Sequence, residues 1–350
     1  MNPKIDGHKL EFHPERVAQW KAGRNDWGRS KLISPIYLEV SPMGACNHRC
    51  SFCAVDYLGY KSVRLDAGLF ADRMHEAAGM GLKSVMFAGE GEPLAHPQIN
   101  AMNEATLLAG IDTAFTTNGT MLNRLHIDGT SWIKVSVNGG SAATYSAIHR
   151  CKERDWDLVW TNISEAVQRK GSTTIGVQTV MLPEVAPEAV DLAKRARDSG
   201  ADYIVLKPYS QHRFSITTKY ANADVSAYDR LEEELKAVET DTFSVFFRPD
   251  TAATKEIPYS KCQATPFFWG YIMATGDVYS CSAYLLQDKF KLGNINEQTM
   301  HQIWQGDRRK ENWRFVREEL DIKDCRVNCR ADKMNRYLTE FETVQHINFV

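Results

Sequence analysis

Charge of one sign is what this chain has least of: 42 lysines and arginines face 44 aspartates and glutamates, leaving −2 over 350 residues. So even a balance offers no basic field to attract a nucleic acid or an anionic membrane. Long apolar runs are missing too. No stretch approaches the ~20 residues that span a bilayer, and Met1 to Arg24 is polar, without the apolar centre of a signal peptide. Repeats and low-complexity tracts are also absent. What remains is an ordinary globular composition, 43% apolar and 25% charged, with length enough for a barrel and an appendage. Eight cysteines without an export signal read as metal ligands or free thiols rather than disulfides. A cytoplasmic protein is expected.

From Ile36 to Lys207, short β-rich runs alternate with amphipathic stretches. Strands are expected at Ile36–Val40, Ser84–Ala88, Thr113–Thr117, Ile133–Val137, Ile175–Met181 and Tyr203–Leu206. Helical segments fall between most of them, such as Leu69–Ala78, Asp155–Arg169 and Pro187–Asp198. That alternation predicts a parallel α/β sheet with its chemistry at the C-terminal strand ends. Phe243–Arg248 reads as a further strand. Thr275-Gly276-Asp277 reads as a hairpin turn between Phe267–Ala274 and Val278–Ser280, with helices around Met300–Trp304 and Arg308–Glu318. The expected organisation is an extension over 1–34, a core over 35–240 and a smaller α+β domain over 241–350.

Just after the first strand comes Cys46-Asn47-His48-Arg49-Cys50-Ser51-Phe52-Cys53. Three thiolates on one loop suit an iron–sulfur cube with one iron lacking a protein ligand. A zinc knuckle with its fourth ligand elsewhere is the alternative. The Cys-x3-Cys-x2-Cys spacing, with Phe52 before the last cysteine, resembles the radical S-adenosylmethionine (SAM) enzymes. The resemblance implies a partial (β/α)6 TIM-like barrel and a [4Fe–4S] cluster whose open iron is chelated by SAM. It also implies reductive cleavage of SAM to a 5'-deoxyadenosyl radical that abstracts hydrogen from a substrate.

Further elements resemble that family in the same order along the chain. Gly89-Glu90-Gly91-Glu92-Pro93 is similar to its Gly-Gly-Glu-Pro element, whose backbone receives the SAM amino group, although Glu90 separates the glycines. Thr117-Asn118-Gly119 resembles its third-strand element. Ser136, Asn138 and Arg150 resemble its serine-bearing fourth strand and the arginine beyond, which contact SAM's ribose and carboxylate, and Gln178 is expected in the same pocket. Taken alone, each is equally a turn cap or a solvated charge.

Cys262, Cys281, Cys325 and Cys329, with Gly276 between the first two, resemble the C-terminal SPASM/twitch extension of the family. There such cysteines hold auxiliary [4Fe–4S] clusters. Four thiolates fill one cube, so the resemblance implies one auxiliary cluster in a small α+β domain. Structural four-cysteine zinc is the competing reading. Cys151 is the eighth cysteine. It is expected either to return hydrogen to a substrate radical, as in epimerising relatives, or to be an inert buried thiol.

Beyond the sixth strand, Lys207, Tyr209, His212 and Arg213 are expected either to contact a substrate at the barrel mouth or to lie on a solvated loop. Cations there fit a small polar or anionic substrate, such as a carbohydrate or sugar nucleotide. The 34-residue extension is too short for the leader-binding domain of peptide-modifying relatives, which remain an alternative. A non-catalytic iron–sulfur redox sensor is another. A catalytic member also needs a low-potential electron donor such as flavodoxin or ferredoxin. Neither a nucleic-acid nor a membrane partner is expected.

Overall fold

The computed structural model describes residues 8–248, 257–326, 328–346 and 348. Ten strands share one sheet in the order β10-β9-β8-β1-β2-β3-β4-β5-β6-β7. They are β1 (Tyr37–Val40), β2 (Ser84–Phe87), β3 (Asp112–Thr117), β4 (Trp132–Ser136), β5 (Thr174–Met181), β6 (Tyr203–Pro208), β7 (Ser244–Phe247), β8 (Trp269–Ile272), β9 (Asp277–Tyr279) and β10 (Lys291–Asn294). Every pairing from β1 through β7 is parallel. This is a partial TIM-like barrel, and β8 joins its free edge in parallel with β1 before turning into the antiparallel β8–β9–β10 unit.

The helices are α1 (Pro14–Gly23), α2 (Trp27–Ser30), α3 (Ala67–Gly79), α4 (Ile99–Leu108), α5 (Ala142–His149), α6 (Arg154–Gln168), α7 (Ala189–Asp198), α8 (Glu232–Lys236), α9 (Met300–Gln305), α10 (Asp307–Glu318) and α11 (Asp332–Thr343). Strand alternation divides the side chains between two faces. Leu38, Val40, Val85, Phe87, Phe115, Ile133, Val135, Ile175, Val177, Ile204 and Leu206 enter one core with the apolar faces of α3 to α7. Glu39, Met86, Ala114, Lys134, Ser136, Gln178, Val205 and Lys207 alternate with them and fall on the inner face.

The second-domain boundary expected at residue 240 falls one strand early. β7 pairs in parallel with β6, Ser244 to Phe247 opposite Tyr203 to Leu206, so it completes the core sheet. The physical reason is an edge: without β7, the backbone of β6 would lie unpaired. The N-terminal extension does not stand alone. Residues 1–7 lie outside the description, but Leu10, Val17 and Trp20 pack with Phe267, Phe268, Ala331 and Leu338 of the C-terminal part. Among the described residues, no helix is long and apolar enough to cross a membrane.

Candidate active site

The cysteine loop leaves the C-terminal end of β1 and lies across the end of α5, where Arg49 and Ser51 donate backbone hydrogen bonds to the carbonyls of His149 and Ile148. Each of its three sulfurs is met by a donor. The His48 amide points at Cys46 Sγ at 3.4 Å, and the Tyr60 hydroxyl bonds Cys53. His149 Nδ1 lies 3.4 Å from Cys50 Sγ. Its Nε2 accepts from the Asn138 amide at 3.1 Å, which assigns the ring proton to Nδ1 and makes His149 a donor to Cys50. Phe52 stands edge-on to the same ring.

Burial raises all three thiols, Cys46 to about 11 and Cys50 well above the ordinary value, with neighbouring sulfurs adding to the rise in both. Three clustered sulfurs that resist ionisation alone, yet are each aimed at by an N–H or O–H, fit a metal cluster. A bound metal would supply the positive charge that makes them thiolates.

The Gly89–Pro93 loop after β2 presses against this loop. A Cβ at Gly91 would stand 2.1 Å from the Ala45 carbonyl oxygen, and one at Gly89, where φ is +128°, would meet Ser41. The Glu92 amide donates to the same Ala45 carbonyl at 3.0 Å. The two intervening carboxylates are structural. Glu90 accepts from the Ala274 amide at 2.9 Å, tying the loop to the β8–β9 hairpin. Glu92 is buried and takes three donors: the Leu94 amide at 3.1 Å, the Thr117 hydroxyl at 2.6 Å and the Asn118 amide at 2.8 Å. Asn118 in turn reaches Asn47 through Nδ2 at 2.8 Å. The loops after β1, β2 and β3 are therefore one hydrogen-bonded unit.

Further round the sheet, Ser136 and Gln178 sit in register on β4 and β5, side by side on the inner face. Asn138 serves the backbone, its Oδ1 accepting from the Val180 amide at 2.7 Å. Arg150 caps α5 in a left-handed conformation with its side chain exposed. Cys151 is grouped with His48 and Asp155, their donor atoms within 4.8 Å of one another. It packs against the helix-side core rather than the inner face.

Across the sheet edge, Cys262, Cys281, Cys325 and Cys329 face one another. Burial and mutual repulsion hold Cys281 well above the ordinary thiol value and Cys329 up at about 12. Tyr284 donates to Cys325 Sγ at 3.6 Å, and Asn335 Nδ2 lies 3.6 Å from Cys262 Sγ. Zinc with Zn–S of ~2.3 Å draws its sulfurs to within about 4 Å of one another. Among the described residues the triads with donor atoms within 4.8 Å are His48/Cys50/His149 and His48/Cys151/Asp155, and no three of these four sulfurs form one. Four thiols gathered in this way can fill one cube, each thiolate on a different iron.

The residues expected at the barrel mouth divide. Arg213 is exposed and donates to the Asp324 carbonyl at 2.9 Å, so it belongs to the surface. His212 is buried, stacked on Tyr57 with ring centroids 5.4 Å apart, and burial pushes it down to about 4. Tyr209 donates to Gln211 at 2.7 Å. Lys207 faces inward, pushed down to about 7 by burial and by Lys134, Arg326 and Arg248 around it. Lys134, Arg326 and the His149 ring escaped the sequence reading. Only Lys134 left a signal: strand alternation puts it on the same face as Ser136.

A family model described as the radical SAM superfamily matches residues 40–196. One described as the SPASM iron–sulfur cluster-binding domain matches residues 262–330. Among curated proteins, the GTP 3',8-cyclase of Chlorobaculum tepidum is 28% identical over 215 residues, 56% of this chain and 63% of the relative. That of Trichodesmium erythraeum is 29% identical over 170 residues, 45% of this chain and 51% of the relative. The matches thus span less than two thirds of those relatives. Streptococcus suis SuiB bound to S-adenosylmethionine superposes with a TM-score of 0.65 at 17% identity, over 88% of this chain and 72% of that one. Native anSMEcpe with bound AdoMet gives 0.59 at 18% identity, over 88% and 95%. At such identities the likeness shows the fold.

Proposed function

We propose that this chain, which belongs to the radical SAM superfamily and carries its SPASM extension, oxidises a C–H bond of a small polar or anionic substrate. The observation that carries the reading is the pair of sulfur sets: three thiols on the β1 loop, locked to the loops after β2 and β3, and four more beside the same sheet edge. In this family SAM and the three-cysteine [4Fe–4S] cluster together supply the hydrogen-abstracting radical, and a second cluster accepts an electron.

This chain's own residues do the rest. Cys46, Cys50 and Cys53 would hold the SAM-binding cluster, and Cys262, Cys281, Cys325 and Cys329 the auxiliary one. Glu92 fixes the backbone of its loop, so that carbonyls there are presented to the SAM amino group in a rigid frame. Ser136 and Gln178, in register on the inner face, would contact the nucleoside. Oxidation is favoured over epimerisation because a cluster held by Cys262, Cys281, Cys325 and Cys329 would supply an electron acceptor. Hydrogen return by Cys151 would need the substrate to reach the end of α5, where His48 and Asp155 flank the thiol. The relatives named for GTP agree with an anionic substrate; a peptide substrate, as in the solved complex of SuiB with its precursor peptide, is the alternative.

The test is 5'-deoxyadenosine formation by the anaerobically reconstituted chain with SAM and a strong reductant. Product formation that disappears in Cys46→Ala supports the reading. No product under any reductant contradicts it and favours a redox sensor.

A further inference from the structure

Two ammonium groups lie on the inner face of the sheet without a partner. Lys134 on β4 stands opposite Gly176 of β5, and Lys207 on β6 stands opposite Val180 of the same strand. Neither makes a hydrogen bond or ion pair with any described residue; Lys134 Nζ has only the Trp132 ring, 5.5 Å to the centroid. Two guanidiniums join them. Arg248 follows β7 directly, its amide bonded to the Leu206 carbonyl at 3.1 Å. Arg326, between Cys325 and Cys329, crosses to the end of β6, where Nη2 donates to the Ser210 carbonyl at 2.9 Å and Nε to its hydroxyl at 3.3 Å. The groups whose charges bear on Lys207 are Lys134, Arg326 and Arg248, without a carboxylate among them. The inner-face carboxylate of Glu39 is already paired with Arg330.

Like charges on one face repel, and each half-buried ammonium gives up part of its hydration without a carboxylate in return. Proteins accept that arrangement where an anion completes it. We propose that Lys134, Lys207 and Arg326 form an anion subsite that holds a diphosphate-type phosphoryl group of the substrate. One carboxylate would neutralise one of the cations, whereas a diphosphate matches several and suits both the point charges of lysine and the fork of arginine. The subsite lies between β4, β6 and the auxiliary cysteine segment, so it would anchor the substrate's anionic end and leave the rest toward the cysteine loop.

This deepens the proposed function and rests on it for the word substrate, but its test does not depend on SAM cleavage. Titration calorimetry with inorganic pyrophosphate on the reconstituted full chain should show binding. The Kd should rise at least about 10-fold in Lys134→Met and in Lys207→Met, the loss expected when a partly buried anion loses one cation. Lys207→Arg should keep the Kd within about 3-fold, which guards against a variant that merely misfolds, and the surface variant Lys194→Met should leave it unchanged. Weaker binding at higher salt supports the subsite as well. No pyrophosphate binding, an equal Kd in all four variants, or tighter binding of succinate than of pyrophosphate overturns it. Pyrophosphate binding in a protein that forms no 5'-deoxyadenosine upholds the subsite while refuting the radical chemistry; the reverse refutes the subsite alone.

Discussion

His149 donates to the sulfur of Cys50 across 3.4 Å, because its other ring nitrogen is already committed to the Asn138 amide. The ring sits in a buried niche that pushes its ionisation well below the ordinary histidine range, so it stays neutral with the proton fixed on the cysteine side. A hydrogen bond to a ligand sulfur stabilises the more negative, reduced cluster. His149→Leu should therefore lower the reduction potential of the SAM-binding cluster. One lost hydrogen bond of about 1 kcal/mol corresponds to on the order of 50 mV for one electron. A redox titration followed by electron paramagnetic resonance, with iron content as the control for cluster loading, checks it. An unchanged or higher potential removes the assigned role.

Glu92 accepts three donors, and glutamine cannot. Its amide group would face the Asn118 N–H as donor against donor. Glu92→Gln should cost about 1–3 kcal/mol of stability and weaken SAM binding, since the loops after β2 and β3 lose their brace. Iron loading on the cysteine loop should survive. Thermal unfolding together with equilibrium SAM binding tests this; native-like values in both would show that the brace is dispensable.

Lys207 gives a pH dependence with a definite sign. Its pKa falls from 10.5 when unfolded to about 7 in the fold. Between those values the unfolded chain binds the extra proton, so this group's contribution to stability rises with pH from about 7 to about 10 and its penalty is full below 7. Without added anion, Lys207→Met should be more stable than the native chain at pH 6.5. By pH 9 that margin should shrink by about 1–2 kcal/mol. Calorimetric melts at both pH values measure the difference, and a margin that widens with pH contradicts burial of an unpaired ammonium.

Much of this was legible in the sequence because the signals were local. The cysteine spacing, the glycines of Gly89–Pro93 and the alternation of strands with amphipathic helices each specify structure over a few residues, and β1 to β9 fall within two residues of expectation, whereas β10 was not foreseen. What the sequence hid was produced by the fold. β7 looked like the start of a second domain because nothing local says which edge a strand joins. Glu90 looked like a departure from a glycine motif, yet its carboxylate reaches Ala274, 184 residues away. Lys134 was an unremarked charge inside a strand until the sheet set it on the same face as Lys207. Arg213 read as a substrate contact from its neighbours, but the turn carries it outward to Asp324.

In the proposed function one chain seats two clusters, the first on three cysteines and the second on four. Iron and sulfide content after anaerobic reconstitution tests it most directly, on the native chain and on the triple Cys46/Cys50/Cys53→Ala variant. About eight irons should fall to about four in the variant. About four irons falling to none, with zinc retained by the C-terminal cysteines, would contradict it and leave the proposed oxidation without its electron acceptor.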